Sequence, residues 1–544
     1  MPKITAIELE NFQAIGRRTV IPIRDLTLIF GPNGAGKSSV FDALTLLQII
    51  TSDDWGHKNK KLLELLNRWS RNINSKNPTN EIGLGIHFLI DENWSWEDLR
   101  DIDSFNRLDR VAHTSIEKNG DYGEQFLNKH YRFYIKFKNF GELQSDWAVS
   151  ECVISSENNT ILELHQSEPD KFPTAILYKQ DWISFAQLEK INGKHHQIHL
   201  ENDKLIGLAH TLIFHINARQ WFDKRFEGDF ALEEEFIHLF QQVIDFFKFI
   251  IRTELAATPL VQASRTVPSI RETIALIPGE KNWPDSKKIR VGYRLEWSPL
   301  LQNLVLDINR SENLWEQMCR FLASNLSSDT PDEIDTDWDL LSPLGKINSF
   351  LREELFIENG YQISGEIFCV TPFHHQESYA LEDTRYYPKL VHLHLIDNNQ
   401  QPLEIEDVGS GIGYVLPVLA SLVQDDISLI QQPELHLHPK LQGMLGEVVV
   451  KSIENKKYYR AFTLIETHSE HLLLRIMRLI KNSAKRQDEV IKPLTYENVS
   501  ILYFDPQPNG ETQVKRLRLA PDGQLIDRWP GGFFNERLKD IFDE

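Results

Sequence analysis

Eight consecutive residues, Gly31-Pro-Asn-Gly-Ala-Gly-Lys-Ser38, satisfy the pattern G-x-x-x-x-G-K-[ST] in full. Glycines at 31, 34 and 36 let a backbone curl until successive N–H groups converge on one anion. The Lys37 ammonium can bridge the β- and γ-phosphates of a nucleotide, and Ser38 Oγ is a hard oxygen suited to Mg2+. Asn33, Gly34, Ala35, Gly36, Lys37, Ser38 and Ser39 are therefore the candidate nucleotide-binding set, with ATP and Mg2+ as the expected cofactors. Two later segments have related chemistry. Asp407-Val-Gly-Ser-Gly-Ile-Gly413 is a glycine-rich turn leading into a helix, and so a second phosphate-binding end at Ser410, Gly411 and Gly413. Leu464-Ile-Glu-Thr-His-Ser-Glu470 ends a strand in a histidine, His468, able to donate a hydrogen bond to phosphoryl oxygens.

These segments need strands and helices that deliver them. Leu26-Thr-Leu-Ile-Phe30 is nearly all apolar, as in a strand covered on both faces, and a helix from about Lys37 to Ile50 follows the glycine loop. Ile4, Ile7 and Leu9, then Thr19 to Ile23, read as earlier strands. Residues 51–258 are mixed, with a helix near 60–71 and strand-like runs at 81–90, 131–138 and 148–154. A helix near 231–255 spaces Phe236, Leu239, Phe240, Val243, Phe247 and Ile250 as a core stripe. Residues 327–343 are acidic and interrupted by proline, as a surface loop or lobe boundary is. From about Glu366 strands and helices alternate again, which favours an α/β architecture.

The order of motifs carries a family resemblance. A phosphate loop, a glycine signature, the strand Ile427-Ser-Leu-Ile-Gln-Gln-Pro-Glu-Leu-His-Leu-His-Pro439 and then Thr-His-Ser resemble the ABC-type ATPases of the SMC, RecF and OLD group. The resemblance implies a P-loop ATPase head of mixed sheet and flanking helices, built from residues 1–50 and 366–544. Residues 51–365 would then be a large inserted α+β lobe. It also implies a homodimer or higher oligomer closed around two ATPs, in which Ser410, Gly411 and Gly413 touch the partner's nucleotide. His468 would be the switch histidine, and Leu437-His438-Pro439 the segment crossing to the partner. Glu466-Thr-His-Ser-Glu-His-Leu-Leu-Leu-Arg475 and Trp529-Pro-Gly-Gly-Phe-Phe534 are similar to a narrower branch. That branch is the stand-alone prokaryotic ATPases that include PtuA, from Septu and some retron anti-phage defence systems. It implies a partner HNH nuclease of the PtuB kind and, in retron versions, a reverse transcriptase with its RNA–DNA hybrid.

One departure matters. The group ends this strand in two acids, one serving the Mg2+ shell and one orienting the attacking water, whereas this chain has Gln431 and Gln432. A glutamine carbonyl at Gln431 can accept a hydrogen bond from a metal-bound water, but Gln432 cannot take a proton. Glu434 and Glu466 are the acids placed to substitute. Firm ATP binding and slow hydrolysis are expected, with Glu434, His468 and Gln432 as the catalytic candidates and Ser38 and Gln431 as the metal candidates. The chain after His468 is short for an OLD-type nuclease domain and holds no Asp-x-Asp cluster, so cutting would fall to a partner. The alternatives are a DNA-repair or chromosome-maintenance ATPase of the RecF or SMC kind, and a non-hydrolysing nucleotide-bound scaffold. The lack of long heptads counts against the SMC version.

Composition limits the rest. With 544 residues, 41% hydrophobic and 25% charged, the chain is globular rather than fibrous or disordered. Three scattered cysteines give no disulfide framework or zinc spacing and fit a reducing compartment. A net charge of −20 argues against a protein that coats DNA. No signal peptide or membrane-length apolar run is visible, so a soluble cytoplasmic protein is expected. Two basic runs stand out, His57 to Lys76 and Arg475, Arg478, Lys481, Lys485 and Arg486. Each reads first as a solvated helix face and second as a nucleic-acid contact. The pairs His392/His394 and His436/His438 and the group His195, His196 and His199 lack carboxylate or cysteine partners at metal spacing.

Overall fold

The computed structural model of the chain describes residues 3–51, 65–66, 81–90, 129–139, 147–157, 159–166, 174–178, 199–201, 204–208, 243–244, 247–248, 251, 260–263, 274–277, 288–290, 305–307, 343–369, 389–424, 427–454, 461–483 and 493–530. The acidic segment up to residue 342, most of the 57–76 run, His195, His196, Lys485 and Arg486 lie outside the described residues.

A nine-stranded antiparallel sheet holds β1 (Lys3–Glu10), β2 (Thr19–Pro22), β4 (Glu81–Ile90), β5 (Lys129–Asn139), β6 (Trp147–Ser156), β7 (Asn159–His165), β8 (Thr174–Tyr178), β9 (His199–Glu201) and β10 (Lys204–Leu208). The six-stranded sheet runs β11 (Leu260–Val261), β18 (Ile427–Gln431), β19 (Phe462–Glu466), β3 (Leu26–Phe30), β20 (Val499–Pro506), β21 (Thr512–Leu517). All of its neighbours are parallel except β20 and β21. A smaller sheet holds β12 (Ile274–Ile277), β15 (Gln362–Cys369), β16 (Lys389–Ile396) and β17 (Pro402–Leu403), and β13 (Lys288–Arg290) pairs with β14 (Val305–Asp307). Five α-helices enter the argument: α1 (Ser39–Thr51), α2 (Pro343–Ser349), α3 (Ser410–Gln424), α4 (Pro439–Glu454) and α5 (Glu470–Ser483).

The six-stranded sheet is the middle layer. Every residue of β3, β18 and β19 is buried, because successive side chains enter opposite cores. Ile29, Leu429 and Leu464 join the core shared with α1 and the nine-stranded sheet. Leu28, Phe30, Ile430 and Ile465 join the core on the other side, with α2, α3, α4 and α5. Val243 and Phe247 of the expected stripe pack in the first of these cores, as a core reading requires; the other stripe residues lie outside the described ones.

The expected division at residue 50 is not a break in the sheet. Strand β1 pairs with β4 in the register Ile7↔Ile86 and Leu9↔Leu84, and β4 pairs with β5. The reason is a shared apolar face. Ile7, Leu9, Ile82, Leu84, Ile86, Phe133, Ile135 and Phe137 all turn into the same core. Strands from the region read as an insertion thus continue the sheet that the N-terminal strands begin.

The opposite face of that sheet carries charge. Glu8 is 1% exposed and accepts from Arg132 Nε at 2.7 Å, from His87 Nε2 at 3.1 Å and from Arg18. Burial works against the carboxylate, but the hydrogen bonds from His87 and Arg18 hold its pKa below the ordinary value. Removing the acid leaves two guanidinium groups facing a missing partner. Those groups keep part of their contact with water, so Glu8→Ala should cost about 1–3 kcal/mol of stability, read by urea or thermal unfolding. Since the folded carboxylate binds its proton more weakly than the unfolded one, its contribution is present above pH 4.5 and fades as pH falls below it. Stability should therefore fall more steeply in acid for the wild-type chain than for the variant.

Candidate nucleotide site

The phosphate loop starts where β3 ends. Gly31 has φ of +149°, and Gly34 and Gly36 each have φ of +78°. Space adds to conformation at two of them: a Cβ at Gly31 would lie 2.6 Å from the Phe504 carbonyl oxygen, and one at Gly36 2.5 Å from Ala14 Cβ. At Gly34 nothing lies within 4 Å, so only the backbone conformation demands glycine there. The N-terminus of α1 follows immediately, so loop amides and helix dipole point at the same place.

Lys37 is 5% exposed and donates through Nζ to the carbonyls of Gly31 at 3.1 Å and Pro32 at 3.0 Å. Glu466 Oε1 is 3.8 Å from the same ammonium. Burial lowers the lysine pKa despite the carboxylates of Glu466 and Glu434. Ser38 Oγ donates to Glu466 Oε2 at 3.1 Å, and Gln431 Nε2 donates to that oxygen at 3.2 Å. Burial pushes the Glu466 pKa up, against the pull of Lys37, Ser38 and Gln431. The parallel register brings these groups together: Gln431 pairs with Glu466, and Glu466 with Ile29, two residues before the loop. Gln431 Oε1 accepts from the Ala263 amide at 3.5 Å. The carboxylate beside Ser38 is thus Glu466 on β19, and Gln431 shows it an amide. Ser38 and Glu466 offer hard oxygens, a donor set that fits Mg2+.

The chain after β18 is under backbone strain, with positive φ at Gln432 (+46°) and His436 (+61°). Gln432 donates its amide to the Glu466 carbonyl at 2.6 Å. Glu434 faces residues 467–468, accepting from Thr467 Oγ1 at 2.8 Å and from the His468 amide at 2.7 Å. Burial, and then the Lys37 charge, lower the His468 pKa, so the imidazole is neutral at pH 7. Ser469 starts α5 by accepting from the Leu472 amide at 3.1 Å, and donates to Gln442 Oε1 at 2.7 Å. Gln442 Nε2 in turn donates to the Leu437 carbonyl at 3.0 Å.

Ser410 is exposed at the start of α3, and Gly413 is buried within it. A Cβ at Gly411 would meet the His436 carbonyl at 3.3 Å and Leu437 Cδ2 at 3.4 Å, and the Tyr414 and His436 rings lie 4.2 Å apart. Gly411 and Tyr414 thus rest on residues 436–437.

Several supports of the loop lie outside the phosphate-loop motif. Thr512, which opens β21, donates Oγ1 to the Ala35 carbonyl at 2.9 Å and its amide to the Ala14 carbonyl at 2.8 Å. Trp529 packs edge-on against Phe30 with ring centroids 5.3 Å apart. Gln13, with φ of +52°, accepts from Ser39 Oγ at 2.8 Å and donates to Asp42 at 2.7 Å. Of the second basic run, Arg475 is paired with Glu447 at 2.6 Å beside Gly443 and Gly446 of α4, while Arg478 and Lys481 are exposed. Among the described residues no group of three His, Cys, Asp or Glu could hold a metal ion, and no helix is long and apolar enough to cross a membrane.

A strand, glycine loop and helix, with an acid on the next parallel strand and an antiparallel sheet packed against one face, define an ABC-type P-loop ATPase. The chain belongs to the family described as "AAA domain, putative AbiEii toxin, Type IV TA system", which it matches over residues 26–475. Residues 494–543 also match a family described as "Protein of unknown function (DUF3696)". A stretch of 46 residues is 46% identical to structural maintenance of chromosomes protein 1 of Arabidopsis thaliana, covering 8% of this chain and 4% of that protein. A stretch of 85 residues is 35% identical to the protein of that name in Schizosaccharomyces pombe, covering 14% and 7%. The matched stretches therefore span less than a tenth of either relative. Among solved structures, the SMC head domain from Thermotoga maritima aligns over 95% of this chain and 100% of its own, at 8% identity and a TM-score of 0.34. A Smc head domain from Pyrococcus yayanosii aligns over 96% and 98%, at 10% identity and the same TM-score, 0.34. The family implies ATP as nucleotide and, usually, Mg2+ as its ion.

Two substitutions probe the loop. Gly36→Ala combines a disfavoured φ with a clash and should weaken ATP binding by about tenfold or more, measured by calorimetry. Thr512→Val removes one buried hydrogen bond, worth about 1 kcal/mol, and should weaken binding about fivefold, while Thr512→Ser should not.

Proposed function

We propose that the chain is the ATP-binding subunit of an anti-phage defence complex, hydrolysing ATP slowly and closing as a dimer on two nucleotides. The observation that carries the slow-hydrolysis reading is the end of β18, where two amides, Gln431 and Gln432, stand in place of acids. Of the acids that could substitute, Glu434 is engaged by Thr467 and the His468 amide, and Glu466 by Ser38, Gln431 and Lys37. Without a positioned base the rate falls about 10²- to 10⁴-fold. In this reading Asn33 to Ser39 bind the phosphates, and His468, neutral and close enough to feel the Lys37 charge, donates to the terminal one. Mg2+, when bound, neutralises charge between the phosphates.

The second glycine turn supports the dimer reading. Ser410 is exposed where α3 begins and Gly411 rests on residues 436–437, whereas Gly413 is buried within the helix. In this reading the exposed end, at Ser410 and Gly411, meets the nucleotide of a second copy. Differential affinity for ATP between open and closed pairs would then couple nucleotide state to a partner. The defence role rests on the resemblance of the 466–475 and 529–534 segments to PtuA-like ATPases, and on a family description that names a toxin–antitoxin system. The implied partners are a PtuB-like HNH nuclease and, in retron versions, a reverse transcriptase with its RNA–DNA hybrid. A RecF- or SMC-like repair role is the second reading, favoured by the short stretches shared with structural maintenance of chromosomes protein 1.

Three measurements test this. Phosphate release by the purified chain should be about 10²-fold or more below that of an acid-bearing ABC-type ATPase; ordinary turnover would sink the slow-hydrolysis reading. Light scattering should show ATP-dependent dimers that Ser410→Arg abolishes while the variant still binds ATP. Native mass spectrometry of the complex captured through this subunit should contain a nuclease. DNA-end binding by the chain alone, with no nuclease captured, would favour repair instead.

A further inference from the structure

The site has hard-oxygen chemistry at Ser38 but no acid at the end of β18, the strand expected to supply one. We infer that Glu466, at the end of the adjacent strand β19, is the carboxylate that serves the nucleotide's Mg2+, so that the acid has moved one strand sideways. This rests on the reading of the loop as an ATP site and adds to it the residue that completes its metal side.

Four observations converge on Glu466. Its Oε2 accepts from Ser38 Oγ at 3.1 Å, which makes it the carboxylate in contact with the loop's metal-side hydroxyl. The same oxygen accepts from Gln431 Nε2 at 3.2 Å, so the amide at the strand end holds the acid in place. The backbone is anchored on both sides, by the Gln431↔Glu466↔Ile29 register and by the Gln432 amide on the Glu466 carbonyl at 2.6 Å. Finally, Glu466 is 4% exposed, and a carboxylate that deep is costly unless a cation compensates it. Lys37 compensates it at 3.8 Å, yet that ammonium is also the group the phosphates require. A divalent ion beside Ser38 would relieve the competition, giving the acid a cation of its own. Glu434 is not equivalent, because its oxygens accept from Thr467 and the His468 amide, whereas Glu466 is bonded to the loop's metal-side hydroxyl.

The exchange variant makes the inference falsifiable. Gln431 and Glu466 are register partners with touching side chains, so Gln431→Glu combined with Glu466→Gln returns the acid to β18 without changing the composition of the site. Equilibrium binding of a fluorescent ATP analogue, with Mg2+ and with EDTA, gives the Mg2+-dependent gain in affinity for each protein. Binding of Mn2+ in the presence of the analogue, followed by electron paramagnetic resonance, reports the ion directly. Wild type should show the gain. Glu466→Gln should lose about 10- to 100-fold of it, the usual cost of a group supporting a metal, read as the ratio of affinities with Mg2+ and with EDTA in the same protein. Glu434→Gln should keep the gain, and the exchange variant should recover at least part of what Glu466→Gln loses. The inference is overturned if Glu466→Gln retains the full gain, or if the exchange variant binds Mn2+ and the Mg2+ nucleotide no better than Glu466→Gln. Should wild type bind no analogue under either condition, the ATP reading itself fails, and that result is distinct from the others.

Discussion

Everything at the nucleotide site depends on how three parallel strands end in line. Gln431, Glu466 and the residues just before Gly31 are lateral neighbours because β18, β19 and β3 are hydrogen-bonded in sequence without a register shift. A slip of one residue in β19 would turn the Glu466 side chain to the opposite face and leave Lys37 buried with one carboxylate fewer. Both faces of these strands are buried, Leu429 and Leu464 in one core and Ile430 and Ile465 in the other, so each side is held by close packing. The chemistry of the site thus depends on ordinary hydrophobic packing several residues away from it.

The loop itself is shaped from outside. Its glycines face the Phe504 carbonyl and Ala14, and Thr512 ties Ala35 to the 11–16 turn. The described part of the C-terminal family match therefore includes residues that press on the phosphate loop, and Trp529 seals the strand from which it leaves. A segment matched only to a family of unknown function has at least this physical role. It buttresses a loop whose backbone would otherwise have little to hold its positive φ values.

Much of the site was legible in the sequence, and for definite reasons. Leu26–Phe30 is an unbroken apolar run and is a strand with those bounds, and the glycine spacing of 31–38 has few other uses. Residues 81–90 alternated well enough to mark β4 to the residue. What could not be read was lateral. No pattern along the chain says that β4 pairs with β1, because antiparallel partners are chosen by face and not by sequence distance. Arg475 looked like one member of an exposed basic run, yet Glu447 neutralises it across a close approach of α4 and α5 that Gly446 permits. Glu466 had the same difficulty. It was visible as an acid near the histidine, but its nearness to Ser38 is a fact of strand order alone.

Strand order also decides how the histidine segment is held. From Gln432 the chain passes through two residues of positive φ before α4, and short bonds cross back from it to the 466–469 segment. Glu434 grips Thr467 and the His468 amide, and Ser469 reaches Gln442, which holds the Leu437 carbonyl. The start of α5, the start of α4 and the turn beneath Gly411 are thereby linked through Glu434, Thr467, Ser469 and Gln442. Buried polar chains of this kind gain from being fully satisfied and lose sharply when one member is withdrawn. A displacement of His468 therefore cannot stay local. It must either be resisted by Glu434 or be passed to residues 436–438, the segment that the start of α3 rests upon.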